Sequence, residues 1–151
     1  MAADAYAALR GQLLSLDPAS VGLGPGTAAR VWGVLFELGY PEGTATVVAL
    51  ADGTTSLYTS GGGGVIGAGE HEPVAAATRA LLAVVETHLA ELGPDGSDDL
   101  PADGHVTVRA LTYDGRLVAT AAEEELGERR HPLWPVFYAG HDVITAVRTT
   151  A

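Results

Sequence analysis

Two Asp-Gly pairs do most to restrict how this chain can fold. Asp52-Gly53 separates the β-branched run Thr46–Ala51 from Thr54–Ser60, and Asp114-Gly115 separates Val106–Ala110 from Leu117–Ala119. A two-residue turn between strands needs positive φ, which Asp-Gly supplies at little steric cost, so each pair predicts a β-hairpin. Between the hairpins lies a helix. Pro73 suits its first position and Gly93-Pro94 punctuates its end. Val74, Ala77, Leu81, Val85, Leu89 and Leu92 form one apolar stripe, widened by Thr78, Leu82 and His88. Ala75, Ala76, Ala80 and Ala83 keep this helix slim enough to lie close against a sheet.

The flanking segments complete the pattern. Tyr6, Leu9, Leu13 and Leu16 recur at helical spacing behind a capping Asp4, and the helix should stop at Asp17-Pro18. Ala19–Ala29 reads as a loop. In Val31–Gly39, the residues Trp32, Val34, Phe36 and Leu38 alternate as on one face of a strand. With the turn Tyr40-Pro41-Glu42-Gly43 and the first hairpin, this makes a three-stranded meander. Asp95–Gly104 is acidic and rich in Gly, Pro and Ser, the composition of an exposed loop. Thr120-x-x-Glu123 matches a capping box opening a short helix that ends near Gly127. The tail is read as helix from about His141, although Val143, Ile144 and Val147 also suit a strand. The sum is a single α+β domain over residues 1–151: an antiparallel sheet of about five strands, ordered as meander, helix and hairpin, with helices packed on it.

This order of elements resembles the roadblock and profilin-like group of small α+β domains. The stretch Asp52-Gly53-Thr54-Thr55-Ser56-Leu57-Tyr58 through Gly69-Glu70-His71, and Glu124-Glu125-Leu126-Gly127-Glu128 with His131-Pro132-Leu133, are similar to a set of small actinobacterial proteins of unknown function. That resemblance spans most of the chain and implies no catalytic residue.

Composition excludes several chemistries. There is no cysteine, hence no disulfide, zinc thiolate or cysteine nucleophile. The formal charge is −11, with eight arginines and no lysine, and only Arg129-Arg130 are adjacent. A nucleic-acid or anionic-membrane surface needs clustered basic residues, so neither partner is expected. The start of the chain lacks a basic region followed by an apolar core, and no apolar stretch is long enough to span a bilayer, so a cytoplasmic location is expected.

The least explained segment is the glycine run Gly61-Gly62-Gly63-Gly64-Val65-Ile66-Gly67-Ala68-Gly69, followed by Glu70-His71-Glu72. Dense glycine costs backbone entropy and needs a local reason, either close approach to a ligand or a turn through positive φ. Gly62-x-Gly64-x-x-Gly67 fits the dinucleotide fingerprint literally. That mechanism needs the glycines to turn directly from a strand into a helix, whereas this helix begins several residues late, near Pro73. No Gly-Lys-Ser/Thr follows, so a phosphate loop fails too. The N-terminus of the Pro73 helix could attract an anion, but Glu70 and Glu72 already occupy it. Gly62, Gly63, Gly64, Gly67, Gly69, Glu70, His71 and Glu72 are the candidate ligand-binding residues, set against a self-capped helix after a wide turn.

His71, His88, His105, His131 and His141 show no zinc-helix spacing, although Glu70-His71-Glu72 and His141-Asp142 carry potential ligands. His88 is expected to be partly buried and structural, and His105 solvated. No cofactor is implied. Ser56, Ser60 and Ser97 lack a nucleophile elbow. Glu123-Glu124-Glu125 reads as a solvated face, and alternation turns Glu37 away from Phe36 towards solvent or a partner. A meander leaves an edge strand that must be covered or paired. Trp32, Val34 and Phe36 on Val31–Gly39, with Trp134, Phe137 and Tyr138, are therefore candidate interface residues, with core packing the alternative. Two functions stay open: a homodimerising domain that binds a protein or small ligand without catalysis, and a small enzyme or metal-dependent protein using Gly61–Gly69 with His71.

Overall fold

The computed structural model describes residues 3–23 and 29–150, the side chains of residues 3 and 4 apart. Its elements are α1 (Ala3–Leu14), β1 (Val31–Tyr40), β2 (Gly43–Leu50), β3 (Thr55–Thr59), β4 (Gly64–Val65), α2 (Glu72–Thr87), β5 (Gly93–Pro94), β6 (His105–Thr112), β7 (Gly115–Ala122), α3 (Glu123–Gly127) and α4 (Trp134–Thr150). All seven strands join one antiparallel sheet in the order β4-β3-β2-β1-β6-β7-β5. The class is α+β, as read from the sequence, and the sheet has two more strands than expected. Both additions, β4 and β5, are two-residue pairings built from Gly64-Val65 and Gly93-Pro94, too short and too glycine- or proline-rich to show a period.

Both Asp-Gly hairpins form, with Asp52 Oδ1 accepting the Thr54 amide in the first. The helix boundaries moved. α2 stops at Thr87 and continues as a 3₁₀ turn over Leu89–Glu91. The tail is helical from Trp134, with Pro135 tolerated in the first turn, where its missing N–H is not needed. His131 starts it: its carbonyl accepts the Trp134 amide and its Nδ1 the Leu133 amide. The capping box is absent, because Thr120 stays in β7 and pairs its hydroxyl with Thr107. A 3₁₀ turn over Pro18–Val21 overlaps the start of the segment read as loop, and residues 24–28 of that loop lie outside the described residues. Asp4, expected to cap α1, lies inside it, because the helix already begins at Ala3.

The sheet divides two cores. On one face, Val31, Val34, Phe36, Leu38, Val47, Ala49, Val106, Val108 and Ala110 pack against α2 and α4. On the other, Trp32, Leu35, Val48, Leu50, Tyr58 and Leu111 pack under α1. Trp32 therefore sits on the face opposite Val34 and Phe36, which corrects the simple alternation. A bulge between Val31 and Gly33 is the cause: an extra residue in the β1–β6 pairing flips the side-chain order before it. β1 is also no edge. It lies between β2 and β6, and Trp32, Val34 and Phe36 are at most 4% exposed.

Glu37 is corrected in the same way. It does face away from Phe36, but α1 covers that side and Glu37 is fully buried. Arg10 of α1 donates to it through Nε at 2.8 Å and Nη2 at 3.0 Å, Arg109 of β6 through Nη1 at 2.9 Å, and Thr46 through its hydroxyl at 2.6 Å. Arg109 in turn binds Asp95, and Arg116 binds Asp95 and Asp98. The acidic loop is thus a strap. Its side chains are mostly exposed, but the carbonyls of Ser97, Asp98 and Asp99 accept from Arg10 and Arg109. Asp95 itself is buried, because it is the counter-ion of Arg109.

Candidate functional site

The fold gives Gly62, Gly64, Gly67 and Gly69 a structural reason. Gly62 has φ 111° in the tight turn after β3, where its amide donates to the Thr59 carbonyl, and the Gly63 amide donates to Thr59 Oγ1. Gly64 runs beside β3, where a Cβ would stand 2.8 Å from the Leu57 carbonyl oxygen. Gly67 has φ 74° at the entry to a 3₁₀ turn. Gly69 packs directly on the Gly53 carbonyl of the first hairpin. The run is a hairpin and a close backbone crossing, as positive φ and missing Cβ atoms require.

Glu70, His71 and Glu72 are all exposed. The His71 carbonyl accepts the amides of Val74 and Ala75 at the start of α2, but no side chain caps this helix. Glu72 pairs with Arg79 at 2.8 Å. No group of three or more His, Asp or Glu that could hold a metal occurs among the described residues. His88 is half-buried with Nδ1 on the Val84 carbonyl, and His105 is exposed beside the Asp103 carbonyl.

The aromatic candidates split. Phe137 is buried with Phe36, at 6.3 Å between ring centroids. Trp134 is half-buried and Tyr138 is 37% exposed. The Arg129 guanidinium stacks over both, 4.7 Å from the Trp134 ring and 5.2 Å from Tyr138. Arg129 has φ 59°, an uncommon value for a residue with a side chain.

A cavity of about 350 Å³ opens where α4 crosses the ends of β1, β2 and β3. Its wall is apolar: Leu38, Ala45, Leu57 and Ile144. Its polar lining comes from Tyr40 and Glu42 at the β1–β2 turn, Thr44, Thr59 and Ser60 from β2 and the end of β3, and His141 and Arg148 from α4. The rim is fixed by backbone. Ser60 Oγ accepts the Thr44 amide at 2.9 Å, and the Ser60 amide donates to the Thr44 carbonyl. A side chain on Gly43 would occupy the position of that hydroxyl. Gly61 is the member of the glycine run that reaches this cavity; Gly62 to Glu72 do not line it.

His141 gives the cavity its chemistry. Its ring stacks edge-on against Phe137 at 4.5 Å and Phe36 at 5.9 Å. Its Nε2 is buried without a hydrogen-bond partner. Burial holds its pKa below the ordinary imidazole value, with Glu123 and Asp142 opposing and Arg148 assisting. Burial likewise raises the Tyr40 phenol, with Glu123 adding to the shift and Arg148 opposing it. Asp142, offered with His141 as a metal-ligand pair, is exposed.

A second buried nitrogen without a partner is Nε1 of Trp32, a residue that borders a cleft with Leu14, Leu111 and Tyr113. The charges there are already used: Arg116 binds Asp95 and Asp98, and Asp17 accepts the Ala19 amide.

Sequence reading missed Tyr40, Glu42, Ser60, Ile144 and Arg148 as site residues. They come from three segments that only the tertiary fold brings together. Among the described residues no helix is long and apolar enough to cross a membrane. Compared with known proteins, the chain matches no family model, no curated protein and no solved structure.

Proposed function

We propose that this domain binds a small molecule, without catalysis, in the cavity between α4 and the ends of β1, β2 and β3. The observation that carries this reading is His141, a half-buried residue that lines a cavity of about 350 Å³ and whose Nε2 is buried without a hydrogen-bond partner. Buried polar atoms are nearly always hydrogen-bonded, so an orphan asks for a reason. Ligand pockets typically enclose about 300–1,000 Å³, with apolar walls and a few convergent polar groups. A binding role fits better than catalysis, because no nucleophile in the cavity is hydrogen-bonded to a base. The Ser60 hydroxyl is engaged by the Thr44 amide rather than by His141.

The test is a thermal-shift screen of metabolites against the wild type and against Ala45→Phe, which fills the cavity from β2. A compound that raises Tm in the wild type and not in the filled variant supports the reading. A panel with no hit, or hits unchanged in Ala45→Phe, counts against it.

Homodimerisation is retained as a second reading, moved from β1 to the Trp134–Tyr138 surface with its stacked Arg129. Sedimentation at micromolar concentration is its test. A monomer there removes it.

A further inference from the structure

Resting on the cavity reading, we propose that the occupant is a zwitterion with an apolar body, of the class of an aliphatic or aromatic α-amino acid. Two unpaired charges of opposite sign line the same cavity. Arg10, Arg30, Arg79, Arg109, Arg116 and Arg130 each meet a carboxylate, and Arg129 lies over two rings. Arg148 has neither kind of partner among the described residues, and it lines the cavity from the last turns of α4. Glu42 lines it from the β1–β2 turn and likewise has no ion pair or hydrogen bond there. No ion pair within 4.0 Å joins the two.

These two charges select the ligand. An anion alone would gain Arg148 and meet repulsion from Glu42, in a chain whose formal charge is −11. A cation alone would gain Glu42 and meet Arg148. A ligand carrying both charges satisfies both, its carboxylate on the Arg148 guanidinium and its ammonium on the Glu42 carboxylate, through charge-assisted hydrogen bonds. Leu38, Leu57 and Ile144 then receive the apolar body, and His141 closes one side. The volume lies at the small end of the usual range, which suits a metabolite rather than a peptide.

Isothermal titration calorimetry of the whole chain decides this. The probes are L-leucine and L-phenylalanine, with N-acetyl-L-leucine lacking the ammonium and L-leucinamide lacking the carboxylate. The expected result is binding of a free amino acid that weakens about threefold or more on either modification, the ratio one charged contact between exposed groups is worth. Glu42→Gln and Arg148→Gln, both exposed and expected to melt like the wild type, should each weaken the free amino acid by a similar factor. Glu42→Gln should also erase the penalty for acetylation, and Arg148→Gln the penalty for amidation. Equal binding of all four probes, abolished by Ala45→Phe, overturns the zwitterion and leaves the cavity reading standing. Binding of neither free amino acid also overturns the zwitterion, while any other compound that Ala45→Phe excludes keeps the cavity.

Discussion

Replacing Glu37 by glutamine keeps its shape and removes one buried charge. The carboxylate accepts four hydrogen bonds: two from Arg10, one from Arg109 and one from Thr46. A glutamine oxygen can accept about two, and its NH₂ group would face guanidinium donors. Arg109 keeps Asp95 and two strap carbonyls, whereas Arg10 keeps only carbonyls. The uncompensated charge therefore falls mainly on Arg10, which is 8% exposed. Breaking a buried pair by removing one partner costs about 3–5 kcal/mol, and the bonds that survive here place the loss near ~3 kcal/mol. For a chain of this length about 2–4 °C accompanies each kcal/mol, so Tm should fall by roughly 10 °C. Urea denaturation followed by circular dichroism measures the loss directly. Arg10→Met in the Glu37→Gln background should cost much less than Arg10→Met alone, because contacting charges are not additive. A Glu37→Gln variant within about 1 kcal/mol of the wild type, or single costs that simply sum, would refute the assignment of these charges to one network.

Gly140 marks where α4 presses on the sheet: a Cβ there would lie 2.5 Å from the Phe36 ring. Gly140→Ala should lose about 1–3 kcal/mol by overpacking, beyond its helix-propensity gain, while Gly11→Ala in α1, with open space around it, should gain about 0.5–1 kcal/mol; urea midpoints compare the two. His71→Ala should leave stability within about 0.5 kcal/mol, whereas Gly69→Ala, driven into the Gly53 carbonyl, should lower Tm clearly in a thermal-shift assay. The depressed pKa of His141 means that the unfolded chain binds its proton first. That contribution to stability is complete above the ordinary imidazole pKa and is lost as pH falls from there to the lower folded value. Urea midpoints taken from about pH 7 to about pH 5 should show a slope that His141→Phe removes.

What could be read from the sequence was local. The Asp-Gly turns and the α2 stripe follow from neighbours a few residues apart, and both appear. The bulge at Val31–Gly33 depends on how β1 meets β6, nearly eighty residues away, so simple alternation puts Trp32 on the wrong face. Glu37 looked solvated because the covering α1 and its Arg10 precede it by 27 residues. A strand carrying Glu37, a helix carrying Arg10 and a strand carrying Arg109, each charge among apolar neighbours, was the signal available for a buried network. Glycine has two opposite uses, and at Gly62, Gly64, Gly67 and Gly69 turn geometry and close packing explain it. The cavity had no local signature, since His141 and Arg148 lie on one helix and Glu42 and Ser60 on distant turns.

The most direct test of the binding site is an amide NMR titration of the ¹⁵N-labelled protein with the best compound from the thermal-shift screen. Saturable shift changes should centre on Thr44, Ala45, Leu57, Ser60, His141 and Arg148. Changes centred instead on Gly62–Gly69 and His71, with the α4 cavity unmoved, would contradict the account and return the site to the glycine run.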